Sequence, residues 1–242
     1  MALASDLKVL YHLALKPVRG SDHAGRMESF YAGQAEAYDD FRKRLLQGRE
    51  SLWQAIDAPD NAVWVDMGGG TGANLDFFGD RLNRMGKIYV VDLASSLLKV
   101  ANQRIADRGW KNVEAVEADA TTFRPTEGHA DVVTFSYSLT MIPDWFAAIE
   151  NARQMLRPGG LIGVVDFYVS RKYPAEGLRR HGWFTRSGWP LWFGLDNVFP
   201  SPDHVPFLRS KFATQHFHEQ RAKVPYIPLV RVPYYTFVGA AR

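Results

Sequence analysis

The sequence predicts an α/β protein with a doubly wound, mostly parallel sheet of seven strands, helices on both faces and an antiparallel strand at the end. Three observations predict this fold. Apolar runs rich in β-branched residues alternate with stretches of helical periodicity between residues 62 and 167. A glycine-rich turn follows the first apolar run, and two further strand patterns lie near the end of the chain. Because alternating strands and helices produce right-handed crossovers, the strands of the alternating part are expected to be parallel.

The predicted elements follow in chain order. Helical patterns cover residues 5–15 and 27–56, ahead of the first strand. The alternating part contains strands at 62–67, 87–93, 113–119, 130–137 and 161–167 and helices at 72–85, 95–109 and 144–160. Residues 217–242 are predicted to form the antiparallel pair that completes the sheet.

Composition and charge exclude several classes of protein. The chain has 242 residues, no cysteine and a formal net charge of +3. That charge is too small to indicate nucleic-acid binding, and no apolar run is long enough to span a bilayer. We also find no pattern of an export signal, so a cytoplasmic protein is expected. The charge is uneven, because residues 167–242 carry 11 Lys and Arg against 4 Asp and Glu.

The glycine-rich turn after the first strand is typical of nucleotide-like ligands, because a backbone without side chains lets a ligand approach closely. It fits the dinucleotide pattern G-x-G-x-x-A, with Asp92 about 20 residues further on for a ribose. It also fits D-x-G-x-G-x-G through Asp66, Gly68, Gly70 and Gly72. The turn alone leaves both an NAD site and an S-adenosylmethionine site open.

The second pattern resembles the first motif of class I S-adenosylmethionine-dependent methyltransferases, and three further places in the chain agree with that family. Asp92 ends the second strand, where the family has an acid that binds both ribose hydroxyls. EADA at 117–120 ends the third strand, where the family places an acid at the adenine amine. MLRPGGLIGVVDF at 155–167 resembles the helix, turn and strand that close the family's core. The resemblance implies a Rossmann-like methyltransferase fold, with S-adenosylmethionine held by Asp66, Gly68, Gly70, Gly72, Asp92, Leu93, Asp119, Ala120 and Ser136.

The chemistry of the acids favours S-adenosylmethionine over NAD. A neutral ribose presents two hydroxyl donors that one carboxylate accepts together, and adenine offers an amine to a second acid. Acids at three successive strand ends would repel the phosphates of NAD. An NAD-dependent oxidoreductase remains an alternative, in which Asp92 binds a ribose while Asp66 and Asp119 are incidental.

The flanking segments indicate the methyl acceptor. Residues 30–50 resemble the lid helix of methyltransferases that act on quinones and lipids, with Tyr31 and Tyr38 on one helical face. Together with WVDMGGGTGANL and the end of the chain, this segment resembles a narrower family, the diacylglyceryl-homoserine N-methyltransferases. That resemblance implies three successive methylations of a homoserine amine, which give a trimethyl betaine lipid. Phosphatidylethanolamine and other small molecules remain alternative acceptors.

Methyl transfer to a neutral amine needs alignment and polar surroundings more than a strong base. The candidates around the methyl group are Tyr31, Tyr38, Ser136 and Tyr137. The last two lie at the end of the fourth strand, where this fold places residues that face the acceptor, and aromatic rings tolerate the growing ammonium. No metal is expected, because His204, His216 and His218 lack an acidic partner at metal-ligand spacing.

Two segments indicate contact with a membrane. Residues 181–208 interleave tryptophan and phenylalanine with Arg186 and two histidines, too irregularly for a strand or an amphipathic helix. Such a loop suits an acyl-chain entrance at an interface, and a small aromatic core is an equal alternative. Residues 7–19 form a basic amphipathic helix that either lies on anionic lipid or packs on the domain. We therefore expect a lipid substrate and peripheral contact with an anionic membrane; a non-catalytic lipid-binding module is the remaining alternative.

These observations predict three parts of the chain. Residues 1–58 form a helical lid with a possible membrane contact, and residues 59–168 form the core that binds S-adenosylmethionine. Residues 169–242 form an aromatic, basic substrate cap and the final strand pair. No pattern in the sequence indicates an oligomeric state.

Overall fold

A computed structural model describes residues 25, 45–194, 197–225 and 230–242, and these contain one sheet of seven strands. The strands are β1 (Val63–Met67), β2 (Lys87–Asp92), β3 (Val113–Glu117), β4 (Ala130–Ser136), β5 (Leu156–Phe167), β6 (Phe212–Lys223) and β7 (Arg231–Ala241). Their order is β3-β2-β1-β4-β5-β7-β6. Strand β7 is antiparallel to β5 and β6, and all other neighbouring strands are parallel. The predicted fold class is therefore confirmed.

Five α-helices and one long 3₁₀ segment cover the sheet in the described part of the chain. They are α1 (Arg49–Ala55), the 3₁₀ segment (Ala73–Arg84), α2 (Ser95–Arg108), α3 (Trp145–Met155), α4 (Trp183–Gly194) and α5 (His204–Lys211). None of these described helices is long and apolar enough to cross a membrane.

The core lies on both faces of the sheet, because alternate residues of each strand point to opposite sides. The side that carries Trp64 and Val132, called the Trp64 side here, packs against α1 and the 3₁₀ segment. The side that carries Val133 and Phe135, called the Phe135 side, packs against α3 and α5. Both sides are thus covered, and the carboxyl ends of the parallel strands remain for a ligand.

The strand order reverses between β1 and β4, which places the crevice of the fold at that point. The chain leaves β1 toward β2 and β3 on one side, and β4 begins the other half of the sheet. In the register of this pair, Asp66 lies beside Thr134 and Met67 beside Phe135. Ligands of open α/β sheets bind beyond the strand ends at such a reversal. The glycine-rich turn that follows Met67 begins there.

Two of the predicted helices are interrupted in the structure. The helix predicted over 27–56 is interrupted in its described part at Gly48, which has φ 84°. A Cβ at Gly48 would lie 2.5 Å from Cε2 of Tyr234, so the close approach of β7 requires glycine. The predicted helix over 72–85 is a 3₁₀ segment with a break at Gly79, whose φ of 53° and ψ of −136° are not helical.

The region 181–208 was predicted to be irregular, and this prediction is wrong. It forms α4 and most of α5. Helix α4 persists although Pro190 removes one backbone N–H donor from its interior. The physical reason is tertiary packing, because Phe193 stacks on Phe167 of β5 at 4.9 Å and Trp189 stacks on Phe193 at 5.3 Å between ring centroids.

Candidate functional site

A cavity of about 490 Å³ opens above the carboxyl ends of β1, β2, β3 and β4. This volume is in the range of small-molecule and cofactor sites. The lining consists of Gly68 and Gly70, residues 91–93, Leu97, residues 118–122, Tyr137 and Ser138, residues 141–144 and Ala147. The cavity therefore lies where the strand order reverses, as the fold predicts.

The glycine-rich turn forms one wall of the cavity and requires glycine at Gly68. This residue has φ 69°, and its N–H donates to the carbonyl of Val91 at 2.7 Å. A Cβ at Gly68 would lie 2.4 Å from Cβ of Ser138, which no side chain tolerates. The Ser138 hydroxyl in turn donates to the carbonyl of Met67 at 2.8 Å. The turns after β1 and β4 are thus in direct contact. Gly72 ends the first turn and does not line the cavity.

Asp92 connects the glycine-rich turn to the beginning of α2. Its Oδ2 accepts the Gly70 N–H at 2.9 Å, and its Oδ1 accepts the Ala94 N–H at 2.9 Å. Both Asp92 and Leu93 line the cavity. Because each carboxylate oxygen has a second lone pair, the same group can also accept from ribose hydroxyls. This position agrees with the role that the sequence predicts for Asp92.

Asp119 and Ala120 line the cavity beyond the end of β3. Oδ1 of Asp119 accepts the backbone N–H of Thr121 at 2.8 Å and its hydroxyl at 2.7 Å. The carboxylate is exposed and held in one orientation by this turn. The two residues thus lie where an adenine amine is predicted to bind.

Asp66 lies beneath the glycine-rich turn rather than in the cavity lining. Its side chain is buried on the Trp64 side, where it accepts from Asn74 Nδ2 at 2.9 Å and from Thr134 Oγ1 at 2.8 Å. Burial raises the pKa of Asp66 to about 6, although these hydrogen bonds and the nearby Arg49 guanidinium lower it. Asp66 therefore supports the turn through Asn74. It does not line the cavity, so the predicted direct contact with the ligand is not found.

The two predicted residues at the end of β4 differ in position. Ser136 is buried, does not line the cavity, and its hydroxyl has no hydrogen-bond partner among the described residues. Tyr137 does line the cavity and adopts φ 55°, an uncommon conformation for a residue with a side chain. Its hydroxyl donates to the carbonyl of Gln47 at 2.6 Å. Burial raises the pKa of Tyr137 well above its usual range, so the ring stays neutral. Tyr31 and Tyr38 lie outside the described residues.

The described lining is acidic. It contains Asp92, Asp119 and Asp144, and no lysine, arginine or histidine is among the described lining residues. Asp144 is exposed and caps α3, because its Oδ1 accepts the Ala147 N–H at 3.2 Å. Such a lining suits a sulfonium cation with a neutral ribose and would repel a pyrophosphate. The residues present therefore fit S-adenosylmethionine better than NAD.

The prediction from sequence missed the loop after β4 and the acid that supports it. Residues 138 and 141–144 line the cavity directly after Tyr137. Asp166 of β5 holds this loop, since it accepts the Thr140 hydroxyl at 2.8 Å and the Thr140 N–H at 3.1 Å. Burial raises the pKa of Asp166 to about 7. A signal for it existed, because Asp166 lies near the end of a parallel strand, next to the crevice of the fold.

Comparison with known proteins identifies the family. The model of the ubiE/COQ5 methyltransferase family matches residues 26–176. The ubiquinone/menaquinone biosynthesis C-methyltransferase UbiE of Pseudomonas fluorescens SBW25 is 29% identical over 169 residues, which are 67% of this chain and 66% of that protein. The chain thus matches just under two thirds of the length of this relative.

Two solved structures share the fold. The 1,6-didemethyltoxoflavin-N1-methyltransferase of Burkholderia thailandensis, with bound S-adenosylhomocysteine, has a TM-score of 0.60 and 18% identity over 93% of both chains. A Haemonchus contortus N-methyltransferase, in complex with phosphomonomethylethanolamine and S-adenosylhomocysteine, has a TM-score of 0.58 and 13% identity. The latter match covers 84% of this chain and 52% of that one.

These comparisons confirm the resemblance to S-adenosylmethionine-dependent methyltransferases. They do not support the narrower resemblance to one lipid-specific family. The family match bears out the resemblance to the methyltransferases that use S-adenosylmethionine as cofactor. The relative from Pseudomonas fluorescens is named a C-methyltransferase, so it does not support the resemblance to diacylglyceryl-homoserine N-methyltransferases. The match to the family model extends over more than half of the chain. The chain belongs to the ubiE/COQ5 methyltransferase family.

Proposed function

We propose that this chain transfers methyl groups from S-adenosylmethionine to the headgroup amine of a lipid, with diacylglyceryl-homoserine as the acceptor and the trimethyl betaine lipid as the product. The proposal rests on the charge of the cavity lining. The described lining residues include three aspartates and two glycines, and none of them is cationic. A cavity of this charge favours cationic molecules, and both the sulfonium and a methylated ammonium are cations.

The residues of the chain have separable roles in this proposal. Gly68 and Gly70 let the backbone approach the cofactor, and Asp92 accepts its ribose hydroxyls. Asp119 accepts the adenine amine beside the apolar surface of Leu93 and Ala120. When bound, S-adenosylmethionine supplies a methyl group on a positively charged sulfur. Asp66 and Gly72 act on this site indirectly, since they shape the turn from outside the cavity.

The described lining is compatible with nitrogen as the attacking atom. Apart from the aspartates, its one ionisable group is Tyr137, whose hydroxyl is already donated to Gln47. An amine attacks with its own lone pair once it has lost a proton, so no strong base is required. Asp144 lies exposed at the rim, where its carboxylate can accept a hydrogen bond from the acceptor ammonium while the proton passes to solvent. The acidic lining then stabilises the methylated ammonium after each transfer.

Carbon methylation of a quinone ring is the second candidate. The named relative from Pseudomonas fluorescens favours it, since it is a ubiquinone/menaquinone C-methyltransferase. Attack by a ring carbon also requires loss of a proton, here from a phenolic hydroxyl, and Asp144 or solvent could accept it as in the amine reaction. Phosphatidylethanolamine is a further amine acceptor with the same chemistry.

The test is a direct comparison of acceptors. The purified chain is incubated with deuterium-labelled S-adenosylmethionine and, separately, with diacylglyceryl-homoserine, phosphatidylethanolamine or a demethylated menaquinol in mixed micelles. Mass spectrometry then counts the methyl groups and locates them on nitrogen or carbon. We expect up to three labelled methyl groups on the homoserine nitrogen. Methylation of the quinol alone would replace the proposal with the second candidate, and binding of the lipid without transfer would leave a lipid-binding module.

A further inference from the structure

Helix α4 exposes an unusual amount of apolar surface. Phe184 is 83% exposed, Leu191 76%, Trp183 65% and Trp192 48%. Single exposed apolar residues are common on proteins, whereas four large ones within one helix of 12 residues are not. The helix therefore exposes large apolar side chains near both of its ends.

This surface occupies one side of the helix and carries no charge. At 3.6 residues per turn, Trp183, Phe184, Leu191 and Trp192 fall within roughly half of the helix circumference. The other positions on that half are Ser187, Gly188 and Gly194. Arg186, the charged residue of the helix, lies on the opposite half. We call this half of the helix the apolar face of α4.

The opposite half attaches α4 to the domain. Phe193 is buried and stacks on Phe167, and Trp189 stacks on Phe193. The ring of Phe167 in turn contacts the ring of Tyr137 at 4.6 Å between centroids, and Tyr137 lines the cavity. The apolar face of α4 is thus fixed to the rigid sheet and connected to the cavity wall through a short series of ring contacts.

The segment before α4 is basic and aromatic. Residues 171–194 contain five arginines and lysines and one acid, Glu176. Tyr173 is exposed, with the Lys172 ammonium 5.4 Å and the Arg180 guanidinium 5.6 Å from its ring centroid. No described carboxylate forms an ion pair with either cation. Arg180 lies three residues before Trp183, so positive charge adjoins the apolar face.

We infer that α4 is a membrane-docking helix, whose apolar face enters the surface of a bilayer that contains anionic lipid. Tryptophan and phenylalanine partition into the interface between headgroups and acyl chains, and neighbouring lysine and arginine bind anionic headgroups. The combination of an uncharged apolar face with flanking cations matches this occupant better than a protein surface. The inference goes beyond the proposed function; only its link to an acceptor drawn from the membrane rests on that function.

The test measures sedimentation of the full chain with vesicles. Vesicles of phosphatidylcholine with phosphatidylglycerol are compared with vesicles of phosphatidylcholine alone, at low and high salt. The parent should bind the anionic vesicles, and the F184S/L191S variant should bind them at least tenfold more weakly. The K172Q/R180Q variant should lose about fivefold per charge removed on anionic vesicles alone. High salt should reduce the difference between the two vesicle types.

Phe146 provides a matched control. It is a phenylalanine with 47% exposure on α3, and it packs against Phe207 on the Phe135 side, whereas α4 packs on the Trp64 side. The F146S variant should bind vesicles as the parent does. Near-ultraviolet circular dichroism verifies that each variant is folded, and the changed positions of α4 are exposed, so folding should persist.

Three results would overturn the inference. The parent could fail to bind anionic vesicles at low salt, or F184S/L191S could bind as tightly as the parent. Alternatively, light scattering could show a dimer that F184S/L191S dissociates, in which case the apolar face contacts a second copy of the chain. Methyl transfer to a short-chain soluble acceptor is measured in parallel. If the parent binds vesicles but methylates no acceptor, the docking inference stands and the proposed function fails.

Discussion

The substitution Asp92→Asn tests the cofactor site most directly. The carboxylate of Asp92 accepts two backbone N–H groups, from Gly70 and Ala94, and each of the two bonds uses a different oxygen at 2.9 Å. An asparagine has one oxygen and one amide nitrogen, so one of these N–H groups would face a donor instead of an acceptor. The substitution therefore perturbs the turn as well as the predicted ribose contact.

The structure sets the expected magnitudes. Loss of the acceptor in one of these part-buried hydrogen bonds should lower the free energy of unfolding by about 1 kcal/mol. Loss of a charge-assisted double hydrogen bond to ribose should weaken S-adenosylmethionine binding by about 2 to 3 kcal/mol, which is roughly 30- to 150-fold. The binding effect is thus expected to exceed the effect on folding.

Calorimetric titration with S-adenosylmethionine and with S-adenosylhomocysteine measures the binding effect. Glu117→Gln is the matched control, because Glu117 is the register neighbour of Asp92, is exposed and does not line the cavity. It removes the same negative charge from the same edge of the sheet. If Asp92→Asn binds both compounds as the parent does, the ribose assignment is wrong. If Glu117→Gln weakens binding equally, the effect comes from overall charge and not from contact.

Three further predictions follow from the same geometry. Gly68→Ala places a Cβ 2.4 Å from Cβ of Ser138 and should abolish cofactor binding in the same titration. The control Gly128→Ala also has a positive φ, but no atom lies within 4 Å of the added Cβ. It should cost only about 1 kcal/mol of stability and leave cofactor binding intact. Burial raises the pKa of Asp166 from 3.8 to about 7, so the folded state keeps a proton that the unfolded state releases. The free energy of unfolding should therefore fall by about 3 kcal/mol through this group between pH 4 and 7, and urea titrations should show a flatter pH dependence for Asp166→Asn. Tyr137→Phe removes a 2.6 Å hydrogen bond to the carbonyl of Gln47. It should lower the melting temperature by an amount that corresponds to about 1 kcal/mol, while methyl transfer continues. Complete loss of transfer in a folded variant would instead assign the hydroxyl a role in the reaction.

Local pattern was sufficient for much of the fold. The parallel strands were predicted because buried strands are continuous apolar runs, and such runs depend on residues that are adjacent in the chain. The position of the cavity was predicted for a similar reason. The glycine-rich turn after β1, Asp92 at the end of β2 and Asp119 after β3 are all visible in the local sequence. Asp92 and Asp119 line the cavity as this reasoning expects. The interruption at Gly48 was not predicted, because it depends on the ring of Tyr234 from a distant strand.

Only the tertiary structure decided which way each side chain faces. Asp66 and Asp92 both occur at strand ends, yet Asp66 turns beneath the loop to Asn74 and Thr134 while Asp92 lines the cavity. The aromatic residues of 181–208 were equally compatible with a small core and with an interface. The structure buries Phe193 and leaves the apolar face of α4 exposed. The sequence by itself thus determined the order of elements and the chemistry at the strand ends, because these depend on neighbours in the chain. Burial and side-chain direction depend on contacts between distant segments, and only the folded chain brings those segments together.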